Sequence, residues 1–136
     1  MSTPDWLDLL SSPQFLGELY TDAPPAPEQC ELFYVHLDER GDSVTIAFAT
    51  KILPSNPRPE WSEKPYNRLE FYFLFEDLAE FTVNGWSATE AKDFDISGTR
   101  REGVTVKAGR EPAGISFRAS SVGLAGVRVY LAAEGT

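Results

Sequence analysis

From residue 31 onward, apolar and polar residues alternate with a period of two. In Ser43–Thr50, for example, the large residues Val44, Ile46 and Phe48 alternate with a threonine and two alanines. This period is typical of a β-strand that packs one face on a core. It predicts further strands at Glu31–Asp38, Asn67–Phe75, Leu78–Asn84, Lys92–Ile96, Gly103–Ala108, Gly114–Ser120 and Val127–Ala132.

The stretch from Trp61 to Trp86 is the richest in aromatic residues. It predicts a hairpin in which a tight turn at Glu76 and Asp77 joins two of these strands. Aromatic side chains fall on both faces of the first strand, so protein must cover both faces. The chain is therefore expected to form a packed β-rich domain.

The N-terminal residues show a helical pattern instead. Thr3 suits a helix cap, and Trp6, Leu9 and Leu10 follow at helical spacing. Pro13 is expected to start a second helical turn, and prolines from residue 24 onward predict an extended connector. The region between Trp86 and Arg101 is ambiguous, and a helical turn at Ser87–Lys92 is one alternative.

Seven or eight strands, joined mostly by hairpins, predict an α+β, mostly β fold. We expect antiparallel strands in a folded-over sheet or a sandwich, with a short N-terminal helix. The length of 136 residues suits a single globular domain spanning residues 1–136. The expected aromatic core comprises Trp6, Phe48, Phe71, Phe73, Phe75, Phe81, Trp86 and Phe117.

A proline-rich loop separates the first predicted hairpin from the second. Four prolines between residues 54 and 65 exclude a central strand there. Trp61 and Tyr66 lie in this loop, and a stiff loop presents an aromatic ring to a partner at low entropic cost. Alternatively, Trp61 folds down as a plug over the end of the sheet.

Charge is distributed unevenly along the chain. The net charge is −9, and residues 1–50 hold nine acids and one base, whereas residues 51–136 hold 12 acids and 11 bases. This balance disfavours nucleic acids and anionic membranes and favours a basic partner. Alternatively, the acidic residues serve only to keep the protein soluble. Asp38, Glu39 and Asp42, at the predicted turn of the first hairpin, are the best exposed candidates to meet one.

Candidate chemistry is sparse. His36 is the only histidine and Cys30 the only cysteine, and no nucleophile motif accompanies them. Alternation groups His36 with Leu32 and Tyr34 on one face of the predicted strand. A catalytic triad, a disulfide and a cysteine-cluster metal site are therefore not predicted. Among 21 acids, paired carboxylates arise by chance, so we expect neither an enzyme nor a cofactor.

The N-terminus lacks the features of a signal peptide, and no run reaches the ~18 apolar residues of a membrane span. A cytoplasmic location is expected.

Taken in order, these features resemble the immunity protein 50 family of bacterial polymorphic-toxin systems. The resemblance covers nearly the whole chain, from the early Trp-Leu helix to the late segment ISFRASSVGLAGVRVYL. It rests on Trp6, Leu7, Leu10, Asp38, Gly41, Trp61, Asn67, Ile115, Ser116, Phe117, Ala119 and Tyr130.

The resemblance implies a non-enzymatic antidote that binds and blocks a cognate protein toxin inside the producing cell. It supplies no catalytic residues. From the charge, we expect that toxin to be basic. Two other functions stay open: a small-ligand or carbohydrate-binding β-domain that uses Trp61 and Tyr66, and an enzyme that uses acids alone.

Overall fold

The computed structural model describes residues 9–11, 14–21, 24–26, 29–38, 40, 42–85, 94–109 and 114–133. Some of the predictions fall outside these residues: the helix cap at Thr3, the core positions of Trp6 and Trp86, Glu39 of the turn, and the alternative helical turn at 87–92.

Six antiparallel strands form one sheet in the order β1-β2-β3-β6-β5-β4. A short helix, α1, precedes it at Gln14–Leu19, directly after Pro13, and a 3₁₀ helix occupies Pro59–Glu63. The strands are β1 (Cys30–Asp38), β2 (Ser43–Thr50), β3 (Arg68–Asn84), β4 (Phe94–Thr99), β5 (Gly103–Ala108) and β6 (Gly114–Tyr130). The mostly β fold with a short helix near the N-terminus is thus confirmed, and the bounds of β2 and β5 match the prediction.

The predicted hairpin turn at Glu76 and Asp77 is wrong. One continuous strand, β3, runs through this point, because β6 pairs with it on both sides of the acidic pair. The chain accommodates Asp77 and Glu80 with positive φ angles of 57° and 56°, and the pairing register shifts between Ala79 and Thr82. Such bulges bend a strand without ending it.

The two predicted strands at Gly114–Ser120 and Val127–Ala132 are likewise one strand, β6. Its glycine-containing middle continues the ladder, since Gly123 pairs with Leu74 and Gly126 with Tyr72. Within the residues that the structure describes, the sheet therefore has six strands instead of the seven or eight predicted.

The sheet folds over on itself, as one of the two predicted arrangements requires. Phe48 on β2 and Phe94 on β4 stand four strand positions apart in the sheet, which is about 19 Å in a flat sheet. Their ring centroids are nevertheless only 4.8 Å apart. The bent strands β3 and β6 pass from one half of the sheet to the other and make this closure possible.

The enclosed space holds the core. Five predicted core rings are at most 1% exposed: Phe48, Phe71, Phe73, Phe75 and Phe117. Phe81 is half-buried and packs on Phe117 with centroids 5.9 Å apart. Leu16 and Leu19 of α1 join the same core, so the helix covers the inner side of the sheet.

Candidate functional site

The turn between β1 and β2 carries the acidic residues that the sequence singled out. The Asp38 carboxylate accepts a hydrogen bond from the backbone N–H of Arg40 at 3.1 Å, and the Arg40 Nε atom lies 4.0 Å away. Asp42 is exposed and has a φ of 52°, a conformation that aspartate tolerates better than most residues. Glu39 lies outside the described residues. The turn is at the surface, as expected.

The bend in β3 brings two more carboxylates beside this turn. Ser43, next to Asp42, pairs with Glu76, and the Leu78 amide donates to the Asp42 carbonyl at 3.4 Å. The Asp77 carboxylate accepts a hydrogen bond from the Ser120 hydroxyl at 2.8 Å. We call Asp38, Asp42, Glu76 and Asp77 the acidic rim. Sequence reasoning missed this cluster because it assigned Glu76 and Asp77 to a separate hairpin turn.

Trp61 lies in the 3₁₀ helix and packs on the core as a half-buried plug. The Arg58 guanidinium stands over both the Trp61 ring, at 5.6 Å, and the Phe15 ring, at 4.2 Å. The loop is also fastened to the helical segment, since the Asn56 amide donates to the Leu19 carbonyl at 2.9 Å. In the free protein, Trp61 therefore takes the second of its two predicted roles.

Tyr66 is half-buried beside Trp61. Together with Tyr130 these residues line an open groove of about 430 Å³. Glu60, Glu63 and Lys64 add charged groups to the same groove. This combination of rings and polar groups is typical of small-ligand sites.

The structure does not bring the two predicted groups of site residues together. Asp38 and Asp42 lie at one end of β2, and the loop with Trp61 and Tyr66 follows its other end. Eight residues of extended chain separate these ends by about 23 Å. The acidic turn and the aromatic loop are therefore distinct surfaces.

A bulge in β1 creates a surface that strict alternation does not predict. The sequence pattern placed Leu32 on one face with Tyr34 and His36, but the pairing register shifts between Leu32 and Tyr34. Leu32 consequently points into the core, while Tyr34 and His36 lie on the outer face of the sheet. The prediction for Leu32 is wrong, because one inserted residue, Phe33, reverses the alternation.

The bulge exposes a group of rings that we call the aromatic patch: Phe33, Tyr34, His36 and Tyr72. Phe33 is 45% exposed and Tyr34 is 43% exposed. Both rings meet Tyr72 edge-on, with centroids 6.3 and 6.2 Å from it, and the His36 ring lies 6.3 Å from Tyr34 and nearly parallel to it. In the sequence, only the small residues on one face of β2 indicate this patch, because they leave room for large side chains on the adjacent strands.

Ala47 explains why these rings lie close together. It pairs with Tyr34 on one side and Tyr72 on the other, and it is fully buried although it lies on the outer face. The rings therefore lie over a small residue in a central strand. The expectation that protein covers both faces of the strand with Tyr72 is wrong, because the described residues leave these rings exposed on its outer face. Gly126 pairs with the far side of Tyr72, and a Cβ atom added there would meet no atom within 4 Å.

An ion pair anchors Tyr72 from below. The Glu70 carboxylate is almost completely buried and accepts a hydrogen bond from the Arg128 guanidinium, which itself is largely exposed. The Glu70 bond raises the pKa of Arg128. Burial, and next the Glu70 charge, raises the pKa of Tyr72. The pair joins β3 and β6 beside Tyr72, at the border of the patch.

The histidine and the cysteine of β1 lie in different surroundings. His36 is exposed beside tyrosine, and Cys30 is buried with its thiol 3.5 Å from the Ala26 carbonyl. In the part of the chain that the structure describes, no group of three His, Cys, Asp or Glu side chains is arranged to hold a metal ion. Across the same residues, no helix is both long and apolar enough to span a membrane.

Comparison with known proteins adds one finding. The family model described as immunity protein 50 matches residues 13–130, which include all six strands. No curated protein and no solved structure shows significant similarity to the chain.

Proposed function

The chain belongs to the immunity protein 50 family, and we propose that it binds and neutralises a cognate bacterial toxin in the cell that produces both. The observation that carries this proposal is the family match across the whole sheet. In this proposal the protein acts in the cytoplasm by binding alone, without catalysis or a cofactor.

Charge supports a basic toxin as the partner. The acidic turn, with Asp38, Glu39 and Asp42, belongs to a chain of net charge −9. Fields of this kind accelerate the encounter with a positively charged protein and orient it, and they weaken as salt is added. We therefore assign the turn a role in guiding the toxin to its binding surface.

Co-expression tests the proposed function most directly. The toxic C-terminal domain of a protein encoded beside this chain is placed under an inducible promoter, with and without the chain. Rescue of growth and co-purification of a stable complex support the proposal. Continued toxicity with the chain present in soluble form, together with no binding by calorimetry, contradicts it.

The groove at Trp61, Tyr66 and Tyr130 favours a second candidate function, the binding of a small ligand or carbohydrate. Its volume and its mixed aromatic and charged lining support this candidate. Trp61 fluorescence, recorded with Trp6 and Trp86 replaced by Phe, can be titrated with panels of sugars and nucleotides. A saturable change that Tyr66→Ala removes supports a ligand site, and a flat response to every compound contradicts it.

A further inference from the structure

We propose that the outer face of the β1–β2–β3 half of the sheet is the toxin-binding surface, with the aromatic patch at its centre and the acidic rim at its edge. The inference rests on the proposed function and deepens it, because it names the surface and the chemistry of the partner: a basic region of the cognate toxin.

The aromatic patch is the first reason. Phe33, Tyr34, His36 and Tyr72 form one continuous group of rings on the surface. Phenylalanine is costly to leave in water, and here the β1 bulge turns Phe33 outward instead of allowing it to join the core. Tyrosine and other aromatic residues at the centre of a contact account for most of the affinity of many interfaces. The patch therefore has the composition of an interface centre.

Rigidity is the second reason. The rings stand on paired strands, Ala47 beneath them is fully buried, and the Glu70–Arg128 pair links β3 to β6 beside Tyr72. Side chains that are already ordered lose little entropy when a partner binds. By contrast, Trp61 is half-buried against the core, so less of its ring is available to a partner.

The acidic rim identifies the partner. It places four carboxylates, with the Arg40 guanidinium beside Asp38, at the end of the strands that carry the patch. A basic protein surface complements this edge, and the rings then supply the short-range contact. A second copy of this chain is disfavoured because each copy carries a net charge of −9.

The test compares two double variants against the purified toxin domain used for co-expression. Phe33→Ala with Tyr34→Ala removes the exposed rings of the patch. Val83→Ala with Ile52→Ala is the matched control, since these side chains are 49% and 41% exposed and lie away from the patch. Loss of the two anchors should raise the Kd by at least about 30-fold, whereas the control should stay within about twofold.

A second variant addresses the patch without removing any side chain. Gly126→Arg places a long cationic side chain directly beside Tyr72, where space is open. It should leave the melting temperature nearly unchanged and weaken binding by at least about tenfold, because it obstructs and repels a basic partner. It keeps the proposal testable if the double variant fails to fold.

The outcomes separate the two proposals. If the wild-type chain does not bind the toxin domain, the proposed function fails and this inference fails with it. If the wild-type chain binds and both patch variants bind equally well, only this inference is overturned. If the patch variants instead abolish self-association seen by sedimentation and leave toxin binding intact, the outer face joins two copies of this chain, which also overturns it.

Discussion

The two faces of strand β3 carry aromatic residues in very different surroundings. On the inner face, Phe71, Phe73 and Phe75 are at most 1% exposed, and the folded sheet closes over them. On the outer face, the two rings that Tyr72 meets edge-on, Phe33 and Tyr34, are themselves exposed. One strand thus supports both a closed core and an open surface, and the difference arises from what the rest of the chain brings to each face.

The largest expected effect tests the inner face. Phe73→Ala should lower the free energy of unfolding by about 3–5 kcal/mol, because it leaves a cavity among Phe48, Phe71 and their neighbours. Tyr34→Ala on the outer face should cost less than about 1 kcal/mol. Urea unfolding measures both, and equal losses for the two variants would erase the distinction between the faces.

The ion pair on the outer face should have an intermediate effect. Arg128→Gln leaves the Glu70 carboxylate, 4% exposed, without its cation. We expect a loss of about 2 kcal/mol, less than for a fully buried pair because the arginine is largely in solvent. Arg118→Gln, an exposed arginine on the same strand, is the control and should change stability by less than about 0.5 kcal/mol. A similar loss of stability in both variants would show that the buried Glu70 carboxylate does not need Arg128 as its partner.

Buried and surface tyrosines should differ in alkaline solution. Tyr20 is buried in the core, its hydroxyl donates to the Ile52 carbonyl at 2.5 Å, and burial raises its pKa well above the ordinary value. Above about pH 10 the unfolded chain loses this proton while the folded chain keeps it, so stability should fall by up to about 1.4 kcal/mol per pH unit. Below that pH the contribution is fully present.

Tyr20→Phe should remove most of this alkaline loss, at a cost of about 1 kcal/mol near pH 8 for the missing hydrogen bond. Tyr72→Phe should remove a smaller part, since Tyr72 is only half-buried and its pKa is raised in the same direction. Urea midpoints measured from pH 8 to pH 11 provide the comparison. If the stability of Tyr20→Phe falls with pH as steeply as that of the wild type, another group causes the loss of stability in alkaline solution.

The smallest effect on stability is expected at the acidic turn. Asp38→Asn, Glu39→Gln and Asp42→Asn together remove three charges, and asparagine retains both the local hydrogen bond at 38 and the positive φ at 42. Stability should change by less than about 0.5 kcal/mol. Association with the toxin domain should slow by about 3–10-fold at low salt and much less at high salt.

A matched variant separates the position of the charge from its amount. Glu80→Gln, Asp95→Asn and Glu102→Gln remove three exposed acids from elsewhere on the chain. Stopped-flow association at two ionic strengths should show a smaller effect for this variant. Equal slowing by both triple variants would assign the attraction to net charge and leave the turn with no specific role.

Local pattern was sufficient for much of the fold. The bounds of β2 and β5 follow from alternation and turn residues, and the five most buried rings were identifiable from their position on apolar faces. Helix α1 follows a proline that suits a helix start. These features depend on residues that are close in the sequence, so the sequence alone is enough to predict them.

The candidate site was harder to predict from the sequence. The sequence identified the acidic turn and the loop with Trp61 and Tyr66 but gave no distance between them. The sequence did not predict the aromatic patch, because the pairing of β1 with β2 decides where the bulge falls. One extra residue in the bulge reverses which side chains face outward. The sequence did not predict the acidic rim for a related reason. Glu76 and Asp77 resemble a turn in the sequence, and only the pairing of β6 with β3 on both sides of them makes the strand continuous.

By itself, the sequence determined the class of this protein: alternating strands, a short helix near the N-terminus, an aromatic core and an acidic first half. The tertiary structure decided how far each strand continues, where the sheet bends and which aromatic rings stay outside. Strand ends and bulges depend on hydrogen bonds to strands that are distant in sequence, and local residue preferences are too weak to override those pairings.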